Sequence, residues 1–233
     1  VGNGTASDLR TFGNGYLVTI TPAGDGLVTI DLAAGAATDI AGNGHAAPEQ
    51  ASYLYDFTPP SVTVVEFVTT GGSPTHSDTL TWAVMFSEEL DNVSEDDFRL
   101  VNTTATITSV TQPQPTVYVV EASGGDLASL DGSVELQLGY YTDAVDAGGF
   151  RLQSLAPTGG TDERVVTVDN TAPTPQLELD SPGYTTTGDF VVNVSFDEVV
   201  TGFTAADLTL SNATATVLAQ DGDFFSFTVS PLT

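Results

Sequence analysis

The sequence predicts an all-β protein built from tandem two-sheet β-sandwich modules. Three observations predict this fold: an internal repeat, a succession of short β-branched segments separated by turn residues, and the absence of a sustained helical period. The chain has 233 residues, of which 40% are hydrophobic, and this is enough for one large core or two small ones.

The internal repeat divides the chain into modules. Three pairs of segments align without gaps. They are 84–106 with 194–216 at an offset of 110 residues, 56–60 with 169–173 at an offset of 113, and 16–22 with 225–231 at an offset of 209. We therefore expect the C-terminal half of one module (1–57), a complete module (58–170) and the N-terminal part of a third (171–233), excerpted from a longer array.

The complete module shows one strand signal after another. Six of its segments are β-branched or alternate between apolar and polar residues, and Gly, Pro, Asn or Asp clusters separate them. These segments are 62–67, 80–86, 104–110, 117–120, 134–138 and 165–168. About seven strands in about 110 residues is the number expected for an immunoglobulin-like sandwich. The predicted fold class is therefore tandem immunoglobulin-like β-sandwich modules, one complete and two partial.

The charge balance limits the partners. There are 31 acidic residues against 4 basic ones, and the net charge is −27. Such a surface repels nucleic acid and anionic membranes, so we expect no nucleic-acid partner. Two interpretations remain open: the carboxylates bind divalent cations, or they hold water in a salty environment where repulsion is screened.

The residue inventory excludes further classes. The chain has no cysteine, which excludes disulfides, thiolate metal sites and cysteine nucleophiles. No apolar run approaches the roughly 18 residues of a membrane span, so we expect no direct membrane insertion by this segment. The two histidines, His45 and His76, lie in polar loops without a nucleophile motif nearby, and we expect no enzyme activity.

Four short motifs follow one another in a consistent order along the chain, and two of them occur twice. They are an Asp-x-Thr-x-Pro linker (56–60 and 169–173), a Phe-x-Glu turn (86–88 and 196–198), a Phe-Thr-x-x-Asp-Leu run (203–208) and an end-of-module run (36–44). In this order and spacing they resemble the bacterial immunoglobulin-like tandem repeats of giant surface adhesins and biofilm-associated proteins. The resemblance implies extracellular, cell-surface extender modules that contact neighbouring modules of the same chain and are often stiffened by Ca²⁺ between modules.

The candidate calcium ligands of the first junction come from three segments. Calcium takes six to eight oxygen ligands, and carboxylates that converge without Lys or Arg repel one another unless a cation lies between them. We expect Asp39 and Asn43 from the last loop of the first module, Asp56 from the linker, and Glu88 from the complete module.

The second junction is expected to use the corresponding residues one module later. Asp169 and Glu198 follow from the repeat, and Asp197 is a further candidate. The third ligand is either Asp143 or Asp146, because the loop that should match residues 39–43 has a different length. The alternative for all of these residues is ordinary turn chemistry, in which Asp accepts hydrogen bonds from its own turn backbone.

Two other features have structural interpretations. Asp97 and Asp207 occupy equivalent positions after small polar residues, and we expect them to cap short turns rather than bind metal. Trp82 lies on the second predicted strand of the complete module, where a large aromatic side chain would fill the sandwich core.

The sequence thus predicts a structural extender or stalk segment of an extracellular surface adhesin or biofilm protein, stiffened by Ca²⁺. Two alternatives remain. The first is a subunit of a self-assembling fibre or sheath, whose half modules pair with those of other copies by strand complementation. The second is a carbohydrate-binding accessory module, which exposed rows of aromatic side chains would favour.

Overall fold

The computed structural model describes residues 1–140, 142–180 and 188–232. The chain divides into two compact units, 1–170 and 171–233, which are described separately. The first unit contains strands β1 to β11 and the second contains β12 to β15. The predicted module boundary at 57/58 stays a prediction.

The strands of the first unit begin with two hairpins and continue into seven further strands. They are β1 (Gly4–Phe12), β2 (Gly15–Pro22), β3 (Gly26–Leu32), β4 (Glu49–Tyr55), β5 (Val62–Phe67), β6 (Thr79–Phe86), β7 (Phe98–Val101), β8 (Thr106–Gln114), β9 (Val117–Ser123), β10 (Gly132–Leu138) and β11 (Val165–Val168). Single 3₁₀ turns lie at Glu95–Asp97 and Leu127–Ser129. None of the helical turns in the described residues has the length and apolar character needed to cross a membrane.

Strands β5 to β11 form a two-sheet sandwich. One sheet has the order β5-β6-β9-β8, and the other has the order β11-β10-β7. All pairings within these sheets are antiparallel. This is the strand order of a seven-stranded immunoglobulin constant-type domain, so the predicted fold class is confirmed. The sequence did not predict β7, which is only four residues long.

The core lies between the two sheets of this sandwich. Burial alternates strictly along β6, as expected for a strand with one face against the other sheet. Trp82 is fully buried, its ring lies 5.5 Å from that of Phe67, and its indole N–H donates to the carbonyl of Glu163 at 3.0 Å. The predicted core position of Trp82 is therefore what the structure shows.

The repeat is visible in backbone geometry as well as in sequence. Strands β3 and β4 pair from Gly26 opposite Tyr55, and β10 and β11 pair from Gly132 opposite Val168. Gly132 and Val168 are the repeat counterparts of Gly26 and Tyr55, so the two strand pairs have the same register. Three aligned asparagines also share a left-handed backbone. They are Asn3, Asn102 and Asn212, with φ of 51°, 67° and 59°.

The second unit contains one sheet among its described residues. Its strands are β12 (Pro175–Leu179), β13 (Phe190–Phe196), β14 (Ala213–Asp221) and β15 (Phe224–Pro231), in the order β12-β13-β15-β14. This order reproduces β5-β6-β9-β8. A T-shaped cluster of rings forms its core, with Phe203 5.2 Å from Phe196 and 5.0 Å from Phe225.

We expect Trp82→Ala to destabilise the sandwich by about 3–5 kcal/mol, because it removes a fully buried aromatic side chain and leaves a cavity. Chemical denaturation measures this change. Val165→Ala, at an exposed position on β11, is the control and should cost less than about 1 kcal/mol. Equal losses for the two variants would contradict the assignment of Trp82 to the core.

Candidate metal centre

The connectivity of the sandwich brings three separate segments to one end. The linker enters β5, the β6–β7 turn follows β6, and the β10–β11 loop follows β10. Ser87 N donates to the carbonyl of Ser61 at 2.8 Å, which ties the turn to the linker. Asp91 and Val145 exchange two backbone hydrogen bonds of 2.7 and 3.1 Å, which tie the turn to the β10–β11 loop.

Each of these segments contributes one carboxylate to a common cluster. Asp56 comes from the linker, Glu88 from the β6–β7 turn and Asp146 from the β10–β11 loop. One oxygen of each carboxylate lies within 4.8 Å of the others. Two oxygens that bind one Ca²⁺ at about 2.3–2.6 Å can be no further apart than about twice that distance, so the spacing is compatible with a shared calcium ion.

Asp146 is the buried member of the cluster. Its side chain is only 3% exposed, and its Oδ1 accepts a hydrogen bond from Phe150 N at 2.8 Å. No hydrogen-bond donor reaches its Oδ2 from the part of the chain that the structure describes. A buried carboxylate oxygen without a donor is costly unless a cation or water satisfies it, so this atom fits a metal ligand.

The electrostatics of the cluster also favour a bound cation. Burial raises the pKa of Glu88, and the negative charges of Asp56 and Asp146 raise it further. Ion pairs among the described residues join Arg164 to Asp162 and Glu135, outside this cluster. Ionising Glu88 beside Asp56 and Asp146 therefore costs free energy that a divalent cation would offset.

Of the residues predicted for this junction, the structure brings Asp56 and Glu88 together, and Asp146 joins them. Asp39 and Asn43 lie in a different loop. The β3–β4 loop that holds Asp39 and Asn43 comes before β4, whereas Asp56 follows it. The seven residues of β4 span about 24 Å, so the two ends of this strand lie far apart.

The Asp39 carboxylate instead meets donors within its own β3–β4 loop. Asp39 accepts hydrogen bonds from Ala41 N at 2.9 Å, from Asn43 N at 2.8 Å and from Asn43 Nδ2 at 2.9 Å. The side-chain hydrogen bond from Asn43 is the largest cause of the lowered pKa of Asp39. This is the turn chemistry that was the alternative to metal binding.

The same loop geometry identifies the counterpart of Asp39 in the complete module. Asp39 N donates to the carbonyl of Asn43 at 3.0 Å, and Asp146 N donates to that of Phe150 at the same distance. Asp146 is thus the equivalent residue, and it lies at the first junction rather than the second. Asp143 is exposed, and its N–H donates to Asp97 Oδ1 at 3.2 Å.

The other predicted ligands belong to different units. Asp169 lies at the end of the first unit, where its N–H donates to the carbonyl of Thr75 at 2.9 Å. Asp197 and Glu198 lie after β13 in the second unit. Asp197 Oδ1 accepts from Thr174 N at 2.6 Å, and this backbone hydrogen bond lowers the pKa of Asp197. Their grouping around a calcium ion stays a prediction.

Asp97 and Asp207 have the geometry of turn caps. Asp97 Oδ2 accepts from Ser94 N at 2.7 Å, and Asp207 Oδ2 accepts from Thr204 N at 2.9 Å. In both turns the preceding hydroxyl side chain also contacts the carboxylate, which is a capping-box arrangement. Local donors therefore occupy Oδ2 of each carboxylate, and Asp97 Oδ1 accepts from Thr142 and Asp143.

Sequence reasoning missed two carboxylates beside the linkers. Asp25 accepts a hydrogen bond from Phe57 N at 2.8 Å, and Asp131 accepts one from Asn170 N at 2.6 Å. The available signal was the Asp-Gly pair at the start of both β3 and β10, in which the glycine is the first residue of the strand. Each pair looks like an ordinary turn, and its distant backbone partner cannot be read from the sequence.

Comparison with known proteins gives little further information. No family model matches the chain, and no curated protein sequence is similar to it. Among solved structures, the adhesin InvE of Yersinia pseudotuberculosis matches at 12% identity with a TM-score of 0.27. The match covers 74% of this chain and 51% of that one, so the chain spans about half of the InvE structure. A likeness this weak carries no argument about function.

We expect Glu88→Gln to leave the metal-free protein at least as stable as the parent at neutral pH. The raised pKa of Glu88 means that the folded state binds its proton more tightly than the unfolded state does. Its contribution to stability is therefore present at low pH and is lost as the pH rises through the raised pKa. Melting curves measured in chelator, from low to neutral pH, should show the variant becoming more stable than the parent as the pH rises.

Glu89→Gln is the matched control, since it makes the same charge change at the neighbouring exposed residue outside the cluster. A pH profile for the Glu88 variant that is indistinguishable from that of the Glu89 variant would contradict repulsion within the cluster.

Proposed function

We propose that the chain is a structural extender segment of an extracellular surface adhesin or biofilm protein, and that Ca²⁺ stiffens its first junction. The observation that carries the proposal is the convergence of Asp56, Glu88 and Asp146 at the point where the linker enters the sandwich. The repeated sandwich architecture and the resemblance of the linker motifs to tandem surface repeats supply the context.

The proposed role of the ion is to strengthen the attachment of the linker to the following sandwich. Strand β4 ends at Tyr55, one residue before the ligand Asp56, and β5 begins at Val62. An ion shared by Asp56, Glu88 and Asp146 would join the end of β4 to two loops of the following sandwich. Pro59 and Pro60 restrict the remaining backbone, because proline fixes φ. A rod of such modules would set distance and transmit force.

The large negative charge is consistent with an extracellular setting rich in divalent cations. Three carboxylates supply up to six oxygens, close to the number that Ca²⁺ requires. Mg²⁺ needs a tighter octahedral shell at about 2.0–2.1 Å and is slow to lose water, so Ca²⁺ is the better match to a spacing of up to 4.8 Å.

We expect Ca²⁺ to raise the melting temperature of the parent protein relative to chelator, because an ion that binds only the folded state stabilises it by mass action. At about 100 times the dissociation constant the gain is about 2.7 kcal/mol. Asp146→Asn should remove most of this rise, since it deletes the charge of the buried ligand while keeping its shape.

Asp78→Asn serves as the matched control, because this exposed residue lies in the β5–β6 loop away from the cluster. Its calcium response should equal that of the parent, and an equal concentration of Mg²⁺ should give a smaller rise. If the parent melts at the same temperature with Ca²⁺ and with chelator, the calcium brace is wrong.

A second candidate function, a self-assembling fibre subunit, is favoured by exposed apolar side chains. Tyr53 on β4 is 70% exposed, whereas its counterpart Val166 in the complete module is 2% exposed. Leu177 on β12 is 65% exposed, whereas its counterpart Val65 is fully buried. Both are positions that face the opposite sheet in a complete sandwich, so a second copy could cover them.

Solution scattering distinguishes the two functions. We expect a stalk segment to remain monomeric as its concentration rises, with or without Ca²⁺. A fibre subunit would grow with concentration, and Tyr53→Ser together with Leu177→Ser would suppress the growth. Monomeric behaviour of the parent at high concentration would exclude the fibre.

A further inference from the structure

The linker of the first junction is attached to the first module by a carboxylate that is not part of the cation cluster. Asp25, in the β2–β3 loop, accepts a hydrogen bond from Phe57 N at 2.8 Å through its Oδ1. Its Oδ2 accepts a second one from the hydroxyl of Thr58. Both oxygens of one carboxylate thus hold two successive linker residues, 32 and 33 positions away.

This attachment recurs at the end of the complete module. Asp131, in the β9–β10 loop, accepts a hydrogen bond from Asn170 N at 2.6 Å. Asp25 and Asp131 each lie directly before the glycine that begins the next strand, and Phe57 and Asn170 each follow the first Asp of a linker. The same donor and acceptor positions are used twice, which indicates a feature of the module rather than a chance contact.

The other side of the same linker residue is attached to the complete module. The ring of Phe57 lies 5.7 Å from that of Phe150, with an interplanar angle of 86°. This edge-to-face arrangement is a favoured geometry for aromatic pairs. Phe150 closes the loop that begins at the cluster residue Asp146, because its N–H donates to Asp146 Oδ1.

Close backbone packing supports this second attachment. A Cβ atom at Gly148 would lie 2.9 Å from the carbonyl oxygen of Asp56 and 3.1 Å from the ring of Phe150. The β10–β11 loop can therefore approach the linker at this distance only with glycine at position 148.

The two aromatic residues both differ from their repeat counterparts. The linker that matches residues 56–60 has Asn170 where the first has Phe57, and the loop that matches 146–150 has Asn43 where the complete module has Phe150. At each position one copy has asparagine and the other has phenylalanine, and the two phenylalanines contact each other. The aromatic side chains thus occur together at the two positions that meet in this junction.

We propose that Asp25 and the Phe57–Phe150 pair form a lock that holds the first junction without a metal ion. Asp25 positions the linker on the first module, and the aromatic pair positions the same residue on the complete module. The lock itself is independent of the proposed calcium brace; only its consequence, that Asp56 is presented to the cluster in advance, rests on that function.

The lock can be measured in chelator, where an ion makes no contribution. The chain has no cysteine, so Ser52→Cys and Thr111→Cys introduce two unique spin-label sites, one on β4 and one on β8. We expect a narrow distribution of distances between the labels in the parent background. Asp25→Ala should broaden it, because the linker loses both of its hydrogen bonds to the first module.

The aromatic pair is tested by a double-mutant cycle that uses the residues of the repeat itself. Phe57→Asn and Phe150→Asn should each shift the ratio of the narrow to the broad component of the label-to-label distance distribution by roughly two- to tenfold. The double variant should shift this ratio no further than either single variant. Additive effects would show that the rings act separately and would overturn the pair.

Hydrogen exchange gives a local readout of the Asp25 contact. We expect the amide of Phe57 to exchange on the order of tenfold faster in Asp25→Ala, because a hydrogen bond to a charged acceptor protects it. Asp31→Ala is the control, since this exposed carboxylate on β3 bonds to Gln50 within its own hairpin. Global melting of each variant confirms that the sandwich stays folded.

The outcomes separate the lock from the calcium brace. If the distances between the spin labels in the parent are broadly distributed in chelator and narrowly distributed in Ca²⁺, the lock is overturned and the brace is supported. A narrow distribution in chelator that broadens in Asp25→Ala supports the lock, whatever the calcium response. An unchanged distribution and an unchanged Phe57 exchange rate in Asp25→Ala overturn the lock.

Discussion

The antiparallel connectivity of the sandwich is the constraint on which the junction depends. Successive strands run in opposite directions, so the linker entering β5, the turn after β6 and the loop after β10 all lie at one end. Asp56, Glu88 and Asp146 therefore converge within 4.8 Å although up to 90 residues separate them in sequence. The same alternation puts Asp25 and Asp131 at the opposite end of their modules, beside the outgoing linker.

Hydrogen-bond donors decide what each carboxylate of this acidic chain does. Asp39 and Asp207 meet backbone and side-chain donors in their own turns, and Asp25 meets the donors of a linker. The donors around Asp39 lower the pKa of its carboxyl group. Within the described residues Asp146 Oδ2 meets no donor, and the pKa of its neighbour Glu88 is raised. A high acidic content alone would not distinguish these two groups.

Sequence reasoning predicted the fold more fully than the site, for physical reasons. The repeat and the alternation of residues such as Leu80, Trp82 and Val84 report directly on which face of a strand is buried. The ligand set depends instead on which end of a module each loop occupies. Loop 39–43 is close to Asp56 along the chain, yet β4 separates them. The role of Asp25 could not be predicted, because its partners are a backbone amide and a hydroxyl 32 and 33 residues away. No sequence pattern identifies such partners.

The geometry of the linker defines what an ion at the cluster would add. Six residues join β4 to β5; Asp25 holds the second and third, and prolines occupy the fourth and fifth. Little backbone freedom is left for an ion to remove. If Ca²⁺ binds as proposed, its main contribution would be to cancel repulsion among three carboxylates that the fold already holds together. Ion binding would then change the strength of the junction under load more than its direction, as the proposed extender role would require.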